Sequence, residues 1–587
     1  MVDLTLYAVA TLASFAGAFA LTPAFAKLAR YLGLVVEPRA DRWHREPTPL
    51  LGGAAMGLAV LAVLAATLPL SGTTATILAA AACALALGLL DDFRGIAPTT
   101  KLVGQVLIGA LLVFGGVQVS FVPVAPVAFL LTVFWVVVVM NAVNLIDNMD
   151  GLAAGIAAIA GLALAYSAAT ATPAAALVAL ATAGAALGFL VHNFSPARIF
   201  MGDAGSQLLG VLLAASALLH TAASATNLGL ALLAPLAALG LPLFDTTLVA
   251  VSRRLAGLPI IRGGRDHSSH RLAALGLTDR SAVLVLYAVA VLLAALGLVA
   301  ETLASAIIPL VGLAAVCVLL FGVFLHEVDV YGRKEAVDTT GPRARIVRGF
   351  WLYGRFGAEV GFDAILLTIA YYSSYLIRFE GLSDSVWVGV FVQSVPLLVG
   401  AQLATLVILG VYRTLWRYIT ISDAAQIVRA LLFGSAAAAM VIFLGFQLQN
   451  YSRAVFVLDA VLASALLVGS RSFLVWLRQS FASRPGDNAR RVLIVGATDR
   501  GLSAMRLLTK SGDVAYRAVG FLDDDPGKRY RNVAGVPVVG TLDDIVSALV
   551  KYEVDLVVVA EQDHDTTVVR HACQSAGVEL REFLVPV

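Results

Sequence analysis

Charge is scarce in this sequence. Asp, Glu, Lys and Arg together supply 13% of the 587 residues, against 60% that are apolar. That balance excludes a soluble globular protein, because one compact core could not bury so much apolar surface. Cysteine is scarcer still. Cys83, Cys317 and Cys573 are scattered, two of them inside apolar runs, so neither a disulfide framework nor a thiolate metal site is indicated. The net charge of +2 says nothing in favour of nucleic acid, and none is expected as a partner. The first apolar run has no basic residues ahead of it and is long enough to stay as an anchor, so no cleavable signal is expected.

What the sequence has in abundance is apolar runs of bilayer-crossing length, about 20 residues each. Eleven precede the first long polar linker, near residues 4–26, 50–70, 73–90, 103–119, 125–143, 152–170, 172–192, 204–222, 228–250, 281–300 and 303–325. Four more follow, near 358–377, 387–411, 424–447 and 454–476, before the hydropathy collapses into a soluble pattern. Basic residues cluster in alternate loops: Lys27 to Arg45 after the first run, Arg94 and Lys101 after the third, Arg253 to Arg271 after the ninth. The loops between runs two and three, four and five, and eight and nine have no Lys or Arg. By the positive-inside rule these basic loops are cytoplasmic and the N-terminus is outside. Eleven crossings then bring linker 326–357 to the cytoplasm, and four more bring the C-terminal segment there. The expected fold is a polytopic α-helical membrane protein with a C-terminal cytoplasmic α/β Rossmann-like domain, divided as 1–325, 326–357, 358–476 and 489–587.

The cytoplasmic loops hold the unusual residues. The first carries Arg42, His44 and Arg45, then Pro47-Thr48-Pro49-Leu50-Leu51-Gly52-Gly53. The second is Asp91-Asp92-Phe93-Arg94, with Lys101 ten residues after Asp91. The third runs from Asn141 to Gly151, with Asn144, Asp147 and Asp150 or Gly151 near one helical face by the three-and-four spacing. The fourth is His192-Asn193-Phe194 to Phe200-Met201-Gly202-Asp203-Ala204-Gly205-Ser206, and the fifth is Arg265-Asp266-His267-Ser268-Ser269-His270-Arg271. Taken singly these are helix ends, caps and turns; five such sets on one face of a membrane are not. Hard oxygen donors mixed with Arg, Lys and His suit a magnesium and diphosphate site, because magnesium takes one or two carboxylates plus phosphate oxygens and water, and cationic side chains hold the remaining phosphate charge.

The order PTPxxGG, DD with a Lys ten later, NxxNxxDxxDG, NFxPAxIFMGDxGS (Asn193 to Ser206) and DHSSHR resembles the polyprenyl-phosphate N-acetylhexosamine-1-phosphate transferases, the superfamily that includes the phospho-MurNAc-pentapeptide translocase. The resemblance covers residues 1 to about 325. It implies that the phosphate of a membrane polyprenyl phosphate, undecaprenyl phosphate in bacteria, attacks the β-phosphorus of a UDP-amino sugar and releases UMP, at the inner membrane. By position, Asn144 and Asp203 would be ligands of magnesium, or of manganese in its place. Lys101 would contact the diphosphate, and Asp91 and Asp92 would organise or deprotonate the attacking phosphate. Asp147 would position the nucleotide or the metal shell, and His267, His270 and Arg271 would hold sugar or phosphates. Asn193, Arg265, His44 and Arg45 complete the implied substrate-binding set, and a homodimer is the expected assembly. Two departures matter: Gly95 stands where some relatives have a third acidic residue, and His267-Ser268-Ser269-His270 replaces adjacent histidines. The second favours the GlcNAc-1-phosphate type over the pentapeptide type. A non-catalytic, sugar-nucleotide-sensing scaffold is the alternative from another class; the intact acidic and Lys positions argue against it.

Residues 490–501, an apolar strand and a glycine turn, followed by an amphipathic helix over Leu502 to Leu508, predict the first βα unit of a doubly wound nucleotide fold. Further strands are expected within 519–525, 536–541 and 554–560. Gly496 and Gly501 are the candidate cofactor-binding residues, although Thr498 replaces the middle glycine of GxGxxG. This half resembles the membrane and Rossmann-like portion of CapD-like polysaccharide biosynthesis proteins, here without their catalytic domain, which implies a regulatory, oligomerising or nucleotide-sensing appendage. Two readings of the intramembrane Asp363 stand: it helps pack its spans or, the first expectation, it lies in a short helix with one end in the membrane interface.

Overall fold

The structure is a computed structural model. It describes residues 4–37, 47–69, 71–223, 228–255, 258–259, 264, 266–303, 308–326, 328, 342–379, 385–413, 420–446, 452–482, 489–510, 516–529, 531–560 and 566–583. His44, Arg45 and Arg265 lie outside the described residues. The chain divides into two compact units, Met1–Arg478 and Gln479–Val587.

Every apolar run of the first unit is helical. In order these are α1 (Leu4–Tyr31), then the strands β1 (Val35–Val36) and β2 (Thr48–Pro49), and α2 (Gly52–Thr67), α3 (Gly72–Arg94), α4 (Pro98–Phe114), α5 (Ala125–Ile146), α6 (Leu152–Ala168), α7 (Pro173–Asn193) and α8 (Gly202–Ala223). They continue as α9 (Leu228–Ala238), α10 (Gly240–Leu255), the short α11 (Ser268–Ala274), α12 (Asp279–Leu303), α13 (Ile308–His326), α14 (Pro342–Phe379), α15 (Ser385–Ile408), α16 (Ile421–Phe446) and α17 (Arg453–Ala482). Among the described residues eleven helices are long and apolar enough to cross a membrane, so the protein is a multi-pass membrane protein. The expected ninth run is broken: α9 and α10 meet at a bend of 68°. Three others, α2, α4 and α6, have only 16 or 17 residues. At 1.5 Å per residue they reach about 25 Å, short of a hydrocarbon core of about 30 Å, so bilayer thinning or interfacial flanks must cover the difference.

Helices α6, α7 and α8 are apolar on nearly every side and their residues are mostly buried, which puts them at the centre of the bundle. Their small residues, Ala and Gly above all, allow the close helix contacts on which membrane packing depends in place of a hydrophobic driving force.

Asp363 corrects an expectation. It lies inside the 38-residue α14 rather than in a short interfacial helix. Its carboxylate is fully buried, takes Arg471 Nη2 of α17 at 2.8 Å and accepts from the Tyr412 hydroxyl at 2.9 Å. A second buried polar group ties α15, α16 and α17: Gln402 Nε2 donates to Asp459 Oδ2 at 2.6 Å and to Ser435 Oγ at 2.9 Å.

The second unit contains β3 (Arg490–Val495), α18 (Asp499–Lys510), β4 (Tyr516–Leu522), β5 (Asn532–Val533), β6 (Val536–Gly540), α19 (Ile545–Lys551), β7 (Leu556–Val559), α20 (Thr566–Ala576) and β8 (Glu579–Glu582). Its sheet has the order β5-β6-β4-β3-β7-β8, parallel except for β5. The central strands are buried on both faces, as a doubly wound sheet requires. The sequence pattern points to β3, β4, β6 and β7; the edge strands β5 and β8 are too short or too polar to announce themselves.

Candidate functional site

Four helices end at one place. Asp91 and Asp92 sit in the last turn of α3, Lys101 in the first turn of α4, Asn144 in the last turn of α5 and Asp203 in the first turn of α8. The approach is made possible by residues without side chains. A Cβ on Gly53 of α2 would lie 2.0 Å from the Gly205 nitrogen, and one on Gly88 of α3 would lie 2.4 Å from the Ala204 Cα. The segment after Pro49 is tied to the same point, with Gly52 N donating to Phe200 O at 2.9 Å and Gly53 N to Met201 O at 2.8 Å.

At that point Lys101 Nζ is bonded to Asp203 Oδ2, lies 3.0 Å from Asp91 Oδ2 and donates to Asn144 Oδ1 at 3.3 Å. Asn144 Nδ2 donates to Asp203 Oδ1 at 2.6 Å and to Ser206 Oγ at 2.8 Å. Three side-chain oxygens from three helices thus face one cation. Behind them lies a polar layer: Gln105 Nε2 donates to Gln207 Oε1 at 2.9 Å and Asn141 Nδ2 to Gln105 Oε1 at 2.7 Å. Ser206, Gln105 and Gln207 were not singled out from the sequence, although three polar residues facing inward from apolar helices are a usable signal.

The two adjacent aspartates do different things. Asp91 Oδ1 accepts from Ile96 N at 2.9 Å, leaving its other oxygen for Lys101. Asp92 accepts from two backbone amides at the start of α8, Asp203 N at 2.8 Å and Ala204 N at 3.0 Å. Those are orphan donors of the helix, and a carboxylate there also meets the positive end of the helix dipole. Asp92 is therefore the cap that fixes Asp203. Asp92→Ala should lower stability by about 1–2 kcal/mol, the scale of a lost N-cap, whereas Asp91→Asn should leave it nearly unchanged; thermal unfolding of the two variants checks the difference.

The loop after α5 completes one side. Asp147 caps that helix, and burial together with the charges of Asp203, Asp92 and Asp150 pushes its carboxyl up to about 8. In the unfolded chain an Asp titrates near about 3.9. The folded protein therefore holds a proton that the unfolded chain has released between these values, and stability falls as pH rises through that window. Asp147→Asn should flatten this dependence in protein free of divalent cations, as read from melting temperature against pH. Asp150 Oδ2 accepts from Ala197 N at 2.9 Å, and Asn193 staples the loops, accepting from Gly151 N at 3.0 Å and donating to Ile199 O at 2.9 Å.

The histidine segment reaches the site from another side. His267 Nδ1 lies 2.8 Å from Asp245 Oδ2 of α10, whose Oδ1 accepts from Ser268 N at 2.7 Å. Asp245 was missed in the sequence, yet a lone Asp inside an apolar run is signal enough. His270 is buried beside His267, their ring centres 6.0 Å apart. Ser269 bonds to Asn148, next to Asp147, and so joins this segment to the α5 loop. Arg271 is buried against backbone carbonyls.

Asp91 and Asp203 both face Lys101, and Asp92 is bonded to the Asp203 amide, an acidic excess that a divalent cation would offset. The donors are hard oxygens, which fits magnesium. Among the described residues no three His, Cys, Asp or Glu side chains gather as a metal cluster, so Asn144, phosphate oxygens and water would have to complete the shell.

Residues 74–221, which include every one of these positions from Asp91 to Asp203, match the profile described as glycosyl transferase family 4. Over 341 residues the chain is 35% identical to a putative glycosyltransferase of Streptomyces coelicolor, covering 56% of this chain and 79% of that protein. The chain belongs to glycosyl transferase family 4. This family 4 transferase is also 33% identical to a probable undecaprenyl-phosphate N-acetylglucosaminyl 1-phosphate transferase of Bacillus subtilis, across 46% of this chain and 77% of that one. A decaprenyl-phosphate N-acetylglucosaminephosphotransferase of Mycobacterium tuberculosis is 34% identical, across 44% and 74%. Residues 407–576 match a second profile, described as a CoA-binding domain.

In that second half, Gly496 (φ +98°) turns the chain after β3, and a Cβ on Gly501 would lie 2.0 Å from the Gly496 carbonyl oxygen. Asp523, after β4, accepts from Ala497 N at 2.8 Å and pairs with Lys528 at 2.8 Å.

Proposed function

We propose that this family 4 transferase moves N-acetylhexosamine 1-phosphate, GlcNAc 1-phosphate first among the candidates, from a UDP-sugar to undecaprenyl phosphate, releasing UMP and starting a lipid-linked cell-envelope glycan. The observation that carries the reading is the convergence of Asp91, Lys101, Asn144 and Asp203 from four helices on one point. The Bacillus and Mycobacterium relatives, named as polyprenyl-phosphate N-acetylglucosamine phosphotransferases, support the acceptor and sugar class. The alternation of basic loops supports a bacterial inner-membrane location with this point facing the cytoplasm.

Phosphoryl transfer asks for alignment and charge neutralisation more than for covalent chemistry by the protein. An oxygen of the lipid phosphate forms a bond to the β-phosphorus as the bond from that phosphorus to the bridging oxygen breaks, and the electron pair leaves with UMP. Asp91 orients the lipid phosphate and takes its proton if one is present. Lys101 neutralises charge on the diphosphate, while Asp92 holds Asp203 in place through the start of α8. Asn144 and Asp203 would hold a magnesium ion, which when bound supplies neutralisation of the diphosphate charge. Asp147, Asn193 and the His267–His270 segment border the space for nucleotide and sugar, with His44, Arg45 and Arg265 as the basic complement.

Residues 1–325 form the transferase region in this account; 358–476 and 489–587 form an appendage that senses a nucleotide or sugar nucleotide, and the protein works as a homodimer. The donor test is lipid-product formation with UDP-GlcNAc beside UDP-MurNAc-pentapeptide. Product from the first alone fits the GlcNAc type, and product from the second alone transfers the reading to the pentapeptide translocase.

A further inference from the structure

We infer that Arg271 is a positioning residue, which clamps the His267–His270 segment onto the end of α13 and so makes that helix part of the active-site framework. Its side chain is 2% exposed. Nε donates to Asp266 O at 2.7 Å, and Nη1 donates to Leu325 O at 2.9 Å, Val328 O at 3.1 Å and His326 O at 3.3 Å. Leu325 and His326 close α13, where helix carbonyls lack intrahelical partners and the dipole is negative. A guanidinium, with donors spread in a rigid plane, can satisfy several of them at once.

Both sides of this clamp are themselves held. Arg253 grips the Asp266 carboxylate with two 2.7 Å bonds, from Nε and Nη2, the strong bidentate geometry. Ser252 Oγ lies 2.9 Å from His326 Nδ1, a second tie between α10 and α13. Toward the site, α11 carries Ser269, bonded to Asn148, while His267 is set by Asp245 at 2.8 Å. Bonded contact is therefore continuous from the last turn of α13 through Arg271 and α11 to the loop that bears Asp147. Sequence likeness assigns Arg271 to sugar or phosphate; these contacts assign it to backbone. Residues that follow α13 in the chain gain, through the same contacts, a mechanical handle on His267.

The test uses the full chain in lipid nanodiscs, and its turnover arm alone rests on the proposed transferase reaction. In substrate-free protein, Arg271→Gln should raise hydrogen exchange about tenfold at both 266–274 and 320–328, the consequence of losing charged hydrogen bonds. Under turnover it should lower kcat about ten- to a hundredfold, with KM for the sugar nucleotide within about threefold, and Arg271→Lys should recover part of kcat. Unchanged exchange at 320–328 with a KM raised tenfold would make Arg271 a substrate ligand and overturn the inference. Raised exchange with unaltered kcat would overturn it as well, leaving a purely structural contact. If Arg271→Gln does not fold, Ser252→Ala decides: it loosens α13 from the other side and should raise exchange at 266–274, and no change there overturns the clamp. Absence of turnover in the unaltered protein would count against the transferase reading and leave the exchange result to decide the clamp.

Discussion

Asp203→Asn is expected to reduce turnover by at least about 10²- to 10³-fold, the scale of removing one contact from a preorganised site of developing charge. Asp203 is engaged on both oxygens: it takes Lys101 on one and Asn144 at 2.6 Å on the other. The amide keeps the shape but removes a negative charge that the Lys101 ammonium and a divalent cation both need. Stability should change by less than about 1 kcal/mol, since Ala204 and Gly205, which pack the start of α8, are untouched. Turnover near that of the unaltered protein, in a variant with unchanged melting, would contradict the assignment of Asp203.

Arg471→Met should destabilise the four-helix segment by about 3–5 kcal/mol, because it strands the carboxylate of Asp363 in the bundle. Asp363 is fully buried and Arg471 is 2% exposed. With the arginine gone, the carboxylate keeps the Tyr412 hydroxyl at 2.9 Å, which carries no charge to offset it. The double variant Asp363→Leu/Arg471→Met should recover most of the loss, since replacing both members of a buried pair with apolar groups is often neutral. Thermal unfolding of the three proteins in one detergent measures both effects. A single variant as stable as the parent, or a double variant worse than the single, would contradict this account of the pair.

The membrane helices were readable because apolar length is a one-dimensional property; the breaks in them were not. The 68° bend between α9 and α10 coincides with Gly240 and Pro242, whose missing N–H and ring clash with the Ala238 carbonyl disfavour a straight helix, a signal that a hydropathy count passes over. Asp91, Lys101, Asn144 and Asp203 could be nominated from sequence as polar residues at the ends of apolar runs, and the structure brings these four together. The separate work of Asp92 could not, because it depends on where the start of α8 arrives in space. Arg271 shows the converse limit: in sequence it is one more basic residue in a His-rich loop, and its carbonyl partners at the end of α13 lie more than fifty positions away. The Rossmann-like strands β3 and β7 stood out as unbroken apolar runs, whereas the two-residue β5 and the polar β8 (Glu579–Glu582) carry no comparable pattern.

The most direct measurement is UMP release by the purified full-length protein with undecaprenyl phosphate, magnesium and UDP-GlcNAc, beside controls lacking lipid or magnesium. The account predicts UMP that depends on both lipid and magnesium and disappears in Asp203→Asn. No UMP from any UDP-amino sugar, with the protein folded and the lipid present, would contradict it.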